Sequence, residues 1–268
     1  MKIALAAVDM KIVSKEERRH DIAAFVDEAG GAGCRMILFP EYVNCQRTKE
    51  AVADWDAGHE ADCFALHAES VPDGPCSRVI SEKCRQHKTW CAYGINEKAA
   101  DGKLTNSYVL VDPAGQIAGR HIKTHLPLCE RGFTAGDELT LLDSPLGKLG
   151  VLTCWEIHYP ELTRLYQILG ADVLVFPTAQ HDSFAITLAR VRAYDANRPM
   201  LALSFVWPEQ LESERPCGTA WIDEKGNIIA RSENRRQLLV VDFPIRKGCN
   251  DTRFDLRRPQ VYRRIVEP

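Results

Sequence analysis

Strand-sized apolar runs recur along this chain, separated by helix-sized amphipathic stretches or tight turns. That alternation restricts the fold more than any single motif. In the second half, "KLGVLT" (148–153) leads to a helical segment at about 159–169 and then to "DVLVFP" (172–177). A further helix around 183–196 and the strand "MLALSFV" (200–206) follow. The first half repeats the logic. "KIALAAV" (2–8) alternates and then stays apolar, as a buried strand does. Over 15–30, Ile22, Ala23, Phe25, Val26 and Ala29 form one helical stripe, and Gly30-Gly31 stops it. "RMILFPE" (35–41) is a short strand ended by Pro40, 47–70 is irregular or helical, 76–88 is helical and 89–97 is a strand.

Two hairpins complete the pattern. "SYVLVDPAGQIAGRHIK" turns at Asp112-Pro113-Ala114-Gly115, and "GTAWIDEKGNIIARS" turns at Glu224-Lys225-Gly226-Asn227. "RQLLVVDF" (236–243) is a last strand. Strands alternating with helices, with hairpins added, imply an α/β protein of mixed sheets covered by helices. No internal linker is rich in Gly, Pro or Ser, so the 268 residues read as one domain over 1–268. Residues 246–268 differ: seven basic and three acidic side chains with almost no periodicity. The whole chain carries a formal net charge of −3, which gives no pull toward nucleic acid or anionic membranes. The tail is therefore read as a C-terminal extension packing on the surface or on a second subunit.

No run approaches the roughly 20 apolar residues needed to cross a bilayer, and the opening "MKIALAAVDMKIVSKEE" suits a strand better than a signal peptide. Ten cysteines with no C-x-x-C pair then read as reduced thiols in a cytoplasmic protein.

Three reactive side chains stand at the C-terminal ends of apolar strands: Glu41 after "MILFP", Lys123 after "IAGRHI" and Cys154 after "LGVLT". In open α/β sheets, ligand and catalytic groups collect at such ends. A strand that turns sharply into a helix exposes the residue at the turn and brings backbone N–H groups toward it, as in a nucleophile elbow. Each residue alone has an ordinary reading: a packed thiol, a loop carboxylate, a surface lysine. As a set they supply what thiol catalysis needs, namely a nucleophile, a base to deprotonate it and a cation for the developing negative charge.

Six pieces, in this order and spacing, resemble the nitrilase, or carbon–nitrogen hydrolase, superfamily across nearly the whole chain. They are "ILFPEY", "GRHIKTHLPLCERGFTAG", "GKLGVLTCWEIHYPELTRLYQILGADVLVFPTA", and the weaker "ARVRAYDANRPM", "GTAWIDEKGNIIA" and "RRPQVY". The resemblance implies a four-layer α-β-β-α sandwich, paired through helices into a homodimer or higher homo-oligomer. It implies a Glu41-Lys123-Cys154 triad, with Glu130 orienting lysine and substrate, and a thioester mechanism with neither metal nor organic cofactor. A salt bridge from Glu130 to Arg131 or another loop charge is the plainer alternative.

Metal binding is the competing chemistry. His121 and His125, like Cys154 and His158, have i,i+4 spacing. The first pair straddles a strand end, however, and no H-E-x-x-H or paired-cysteine pattern supports it, so no metal is expected.

Pocket candidates are Tyr42, Trp155, His158, Tyr159, Thr178, Ala179 and Gln180, of which Trp155 and Tyr159 could equally be core aromatics. Superfamily enzymes acting on carboxylated substrates often carry arginine three or four residues past the cysteine, where it grips a carboxylate as a fork. Here those positions are Ile157 and His158. That counts against a dicarboxylate-type substrate. "CWE" resembles true nitrilases and the following "YPE" resembles amidases, so the resemblance implies hydrolysis of a small amide, with nitrilase or N-carbamoyl amidohydrolase as alternatives. A catalytically idle binding or assembly module is the alternative of another class.

Overall fold

The computed structural model describes residues 1–11, 13–45, 48–56, 64–179, 184–206, 218–233, 235–245 and 255–265. The first half contributes β1 (Lys2–Ala7), α1 (Lys15–Gly31), β2 (Met36–Leu38), α2 (Lys49–Asp56), α3 (Pro75–His87), β3 (Trp90–Lys98), β4 (Leu104–Val111) and β5 (Ile117–Ile122). The second contributes β6 (Leu141–Ser144), β7 (Gly147–Val151), α4 (Pro160–Leu169), β8 (Val173–Thr178), α5 (Phe184–Ala196), β9 (Met200–Ser204), β10 (Ala220–Ile222), β11 (Ile228–Arg231) and β12 (Gln237–Asp242).

These strands form two six-stranded sheets, ordered β12-β1-β2-β3-β4-β5 and β11-β10-β9-β8-β7-β6. Parallel pairing holds the centre of each sheet, β1 with β2 with β3 and β7 with β8 with β9. The remaining strands attach antiparallel at the flanks.

Parity along the strands explains the layers. In β1 and β2, Ala4, Ala6 and Ile37 face α1 and α3, packing with Phe25, Val26, Ile80 and Cys84. The intervening Ile3, Leu5, Met36 and Leu38 face the second sheet and meet Val173, Val175, Leu201 and Leu203. Leu174, Phe176, Met200 and Ala202 point the other way, onto Tyr166 of α4 and Ala189 and Ala193 of α5. A strand buried on both faces must be apolar at every position, so these strands read as runs rather than as clean alternation. The result is the expected α-β-β-α sandwich, with three apolar layers between its four structural ones.

Several boundaries differ from expectation. Helix α1 continues through Gly31 and ends at Ala32, followed by Gly33 at φ 73°. β2 is only three residues long, and β9 ends at Ser204. The second hairpin turns one residue early, because Asp223 Oδ1 accepts the N–H groups of Lys225 and Asn227 and its carbonyl accepts that of Gly226. Such side-chain capping of a turn is ordinary for aspartate. β6 was not anticipated. Leu142 is its one fully buried residue, so its apolar pattern is too sparse to stand out, and it is held by its tight hairpin with β7.

The loops after β2, β5, β7 and β8 meet at one end of the sandwich, where Glu41, Lys123, Cys154 and Ala179 come together. No helix among the described residues is long and apolar enough to cross a membrane.

Candidate active site

Glu41 lies three residues beyond β2, where its backbone crosses close to β3. Gly94 of β3 permits this, since a Cβ there would sit 2.6 Å from the Glu41 Cα and 2.8 Å from the Pro40 carbonyl. The next residue, Tyr42, takes a left-handed conformation at φ 54°. Lys123 immediately follows β5, and its N–H donates to the Asn106 carbonyl at 2.9 Å. Cys154 follows β7 at φ 50°, opening a 3-10 turn over Cys154–His158 before α4. A left-handed non-glycine residue costs roughly 1–3 kcal/mol and persists only where its surroundings impose it. That two of the four among the described residues are Tyr42 and Cys154 places strain at these strand ends.

The side chains converge. Lys123 is fully buried, and its Nζ donates to Glu41 Oε1 at 3.1 Å and to Glu130 Oε1 at 2.8 Å. The Tyr42 hydroxyl donates to Glu130 Oε1 at 2.7 Å. Glu41 Oε2 accepts the Ala179 N–H at 2.9 Å. Cys154 is partly exposed, and its thiol is hydrogen-bonded to Glu41 and to Thr178 at the end of β8. Glu130 thus pairs with Lys123 rather than with its exposed neighbour Arg131.

One member was missed from sequence. Asn106, in the middle of β4, donates its amide to Glu41 Oε1 at 2.7 Å, to the Tyr42 hydroxyl at 2.8 Å and to Glu130 Oε1 at 3.2 Å. An amide nitrogen facing this many acceptors fixes its own orientation. The sequence signal was faint: a polar Thr105-Asn106-Ser107 run inside a strand buried almost throughout.

The electrostatics follow from two carboxylates and one ammonium taken out of water. Burial disfavours the Lys123 ammonium, but Glu41, Cys154 and Glu130 outweigh it, and its pKa is raised. Burial also raises the pKa of Glu130, only partly offset by Lys123. Burial and then the Glu41 charge raise the Cys154 thiol, against the pull of Lys123 and the Thr178 hydrogen bond. The resting site therefore favours a protonated Cys154 thiol beside a charged Lys123 ammonium.

Of the other pocket candidates, Thr178 and Ala179 join the cluster, the second through its backbone. Trp155, His158 and Tyr159 form an aromatic strip along the 3-10 turn. The Trp155 and His158 rings lie 4.6 Å apart, Tyr159 packs on His125 at 4.2 Å, and the Trp155 indole N–H donates to the Tyr159 hydroxyl at 3.2 Å. Trp155 is 38% exposed, so it is not a core aromatic. Gln180 lies outside the described residues. His121 and His125 diverge: His121 is buried beside Glu156 and Tyr166, while His125 stacks on Tyr159.

The chain thus presents a four-layer α-β-β-α sandwich with a thiol, a carboxylate and an ammonium gathered at its strand ends. The chain belongs to the carbon–nitrogen hydrolase family, whose model matches residues 2–247, and so to the nitrilase superfamily. It is 34% identical to a hydrolase encoded in the region 5′ to pqqF in Pseudomonas protegens, over 94% of this chain and 86% of that one. It is 24% identical to an omega-amidase of Bos taurus, covering 91% and 89% of the two chains. The crystal structure of an amidase from Nesterenkonia sp. superposes with a TM-score of 0.75 at 18% identity, covering 99% of this chain and 96% of that one.

Proposed function

We propose that this carbon–nitrogen hydrolase cleaves small amides through a thioester on Cys154. The observation that carries the reading is that Glu41 is bonded at once to the Cys154 thiol and to the buried Lys123 ammonium. As the sulfur attacks the amide carbon, its proton passes to Glu41. The carbonyl oxygen takes the negative charge, stabilised by Lys123 and by the backbone N–H of Trp155. The C–N bond then breaks, Glu41 returns the proton to the leaving nitrogen, and ammonia or an amine departs. Water next gives a proton to Glu41 and adds to the thioester; the C–S bond breaks, the acid leaves and the thiol is restored.

Glu130 fits an orienting role. Its Oε1 accepts from Lys123, Tyr42 and Asn106, while its buried Oε2 has no hydrogen-bond partner among the described residues. An oxygen left unpaired in a site matches a substrate amide N–H.

The acyl group is read as uncharged. Ile157 is fully buried in the core beneath β8, and His158 stacks on the exposed Trp155, so neither position offers a carboxylate a cationic fork. A panel of neutral aliphatic amides, ω-carboxylated amides, nitriles and N-carbamoyl amino acids, read by ammonia release, tests this. A neutral amide is expected to exceed its ω-carboxylated counterpart at least about tenfold in kcat/KM. The reverse preference would sink the acyl-group assignment. Silence across the panel, with no adduct on Cys154 by intact mass, would favour a binding or assembly module.

We also propose a homodimer through α4 and α5. Leu165, Ile168 and Leu169 of α4 and Val191 and Tyr194 of α5 are each 44–52% exposed, an apolar face that calls for cover. Residues of α4 and of the described tail together line a groove of about 710 Å³ beside it. Leu165→Glu is expected to shift sedimentation from dimer to monomer; a wild-type chain that sediments as a monomer at micromolar concentration would refute the assembly. The setting is read as cytoplasmic, where cysteines stay reduced, and none of the seven described cysteines stands in a disulfide.

A further inference from the structure

We infer that Glu156 is a positioning residue that fixes the nucleophile's loop against the lysine's loop. This rests on the triad reading above but concerns a side chain that the proposed chemistry does not use. Glu156 is fully buried two residues past Cys154. Its Oε2 accepts the N–H of Thr153, the residue before the nucleophile, at 2.7 Å. Its Oε1 accepts both the N–H and the hydroxyl of Thr124, the residue after Lys123, at 2.8 and 2.7 Å. One carboxylate therefore bridges the direct chain neighbours of two groups that come from different sheets.

The surroundings hold that carboxylate ionised. Burial works against the charge, but His121 and Thr124 outweigh it, and its pKa is lowered. His121 Nε2 lies 3.5 Å from Glu156 Oε2, and His121 Nδ1 lies 3.4 Å from the Tyr166 hydroxyl of α4. The bridge thus runs from β5 through the elbow into α4. A left-handed Cys154 requires such an outside constraint, since its own backbone preference would relax the turn. A displacement near 1 Å at a reacting group can cost about 100-fold in rate.

Glu156→Gln tests the assignment. A glutamine can still accept from Thr124, but its amide would set a donor against the Thr153 N–H. The expected result is a 10- to 100-fold lower kcat with KM changed less than threefold, because Glu156 is fully buried and the proposed chemistry gives it no contact with substrate. Thr124→Val, which keeps the backbone bond and loses only the hydroxyl, should move kcat the same way by less and guards against a misfolded glutamine variant. A second readout separates positioning from charge. The pH midpoint for iodoacetamide alkylation of Cys154, followed by peptide mass, should rise in Glu156→Gln as Lys123 loses its register with the thiol. Removing a negative charge without moving anything would lower that midpoint. An unchanged or lowered midpoint, or a kcat within twofold of wild type in both variants, overturns the inference. Lys123→Met is the control: if it too leaves the midpoint unmoved, the triad reading itself fails.

Discussion

Cys154→Ala is expected to reduce amide turnover at least about 10⁴-fold while the protein stays folded. Losing a covalent nucleophile removes the route, leaving only the contribution of binding and oxyanion donors. The fold should survive because the thiol is the cluster's most dispensable member structurally. Glu41 keeps its bonds from Asn106, Lys123 and the Ala179 N–H. Alanine retains the Cβ, so the left-handed strain at φ 50° neither grows nor disappears. The check is ammonia release under single-turnover conditions, alongside thermal unfolding and intact mass after amide addition. Wild type should show a transient acyl adduct on the Cys154 peptide, and the variant none. Residual turnover within tenfold of wild type would assign the nucleophile elsewhere, with exposed Cys129, next to Glu130, the first thiol to examine.

Why that cysteine could be found by reading the chain, and Asn106 could not, is a matter of range. Glu41, Lys123 and Cys154 each follow an apolar run that ends abruptly, and a strand end is a local event. Asn106 sits inside a strand, 65 residues from Glu41 in sequence. Only the pairing of β4 with β3 and β5 brings it beneath the cluster. The expected strand began at "SYVLV", which placed Asn106 outside it. Glu156 was visible only as part of a motif, because its partners are Thr124 across the sandwich and the backbone of its own turn. The layers were legible for the opposite reason: strands buried on both faces announce themselves as unbroken apolar runs, and helices as stripes. β6 failed that test, being held by its hairpin more than by burial. Tyr42 and Thr178 were nominated as pocket residues, and the structure gives them specific bonds, to Glu130 and to the Cys154 thiol.

Lys123→Met should be the most destabilising single change in the site, costing about 3–5 kcal/mol, and should lower turnover at least about 10³-fold. Methionine nearly matches the side chain in length, so the loss is of charge rather than volume. Glu41 and Glu130 would then face each other across the single amide nitrogen of Asn106, which bonds both. Two buried carboxylates without a cation cannot both stay ionised, and one takes up a proton. Glu130, whose pKa burial already raises, is the expected site. A carboxyl group raised in the folded state holds its proton where the unfolded chain's has been lost, near pH 4.3. Its contribution to stability is therefore complete below that value and is lost as pH rises through the folded-state pKa. The gap in melting temperature between wild type and variant should be widest at pH 8 and narrow steadily toward pH 5. A gap that stays constant over that range would mean that Lys123 acts by filling space, not by neutralising the two carboxylates. Activity separates the two contributions further: lowering the pH should recover stability in the variant but not turnover, because protonating Glu130 does nothing to restore the cation that the oxyanion requires.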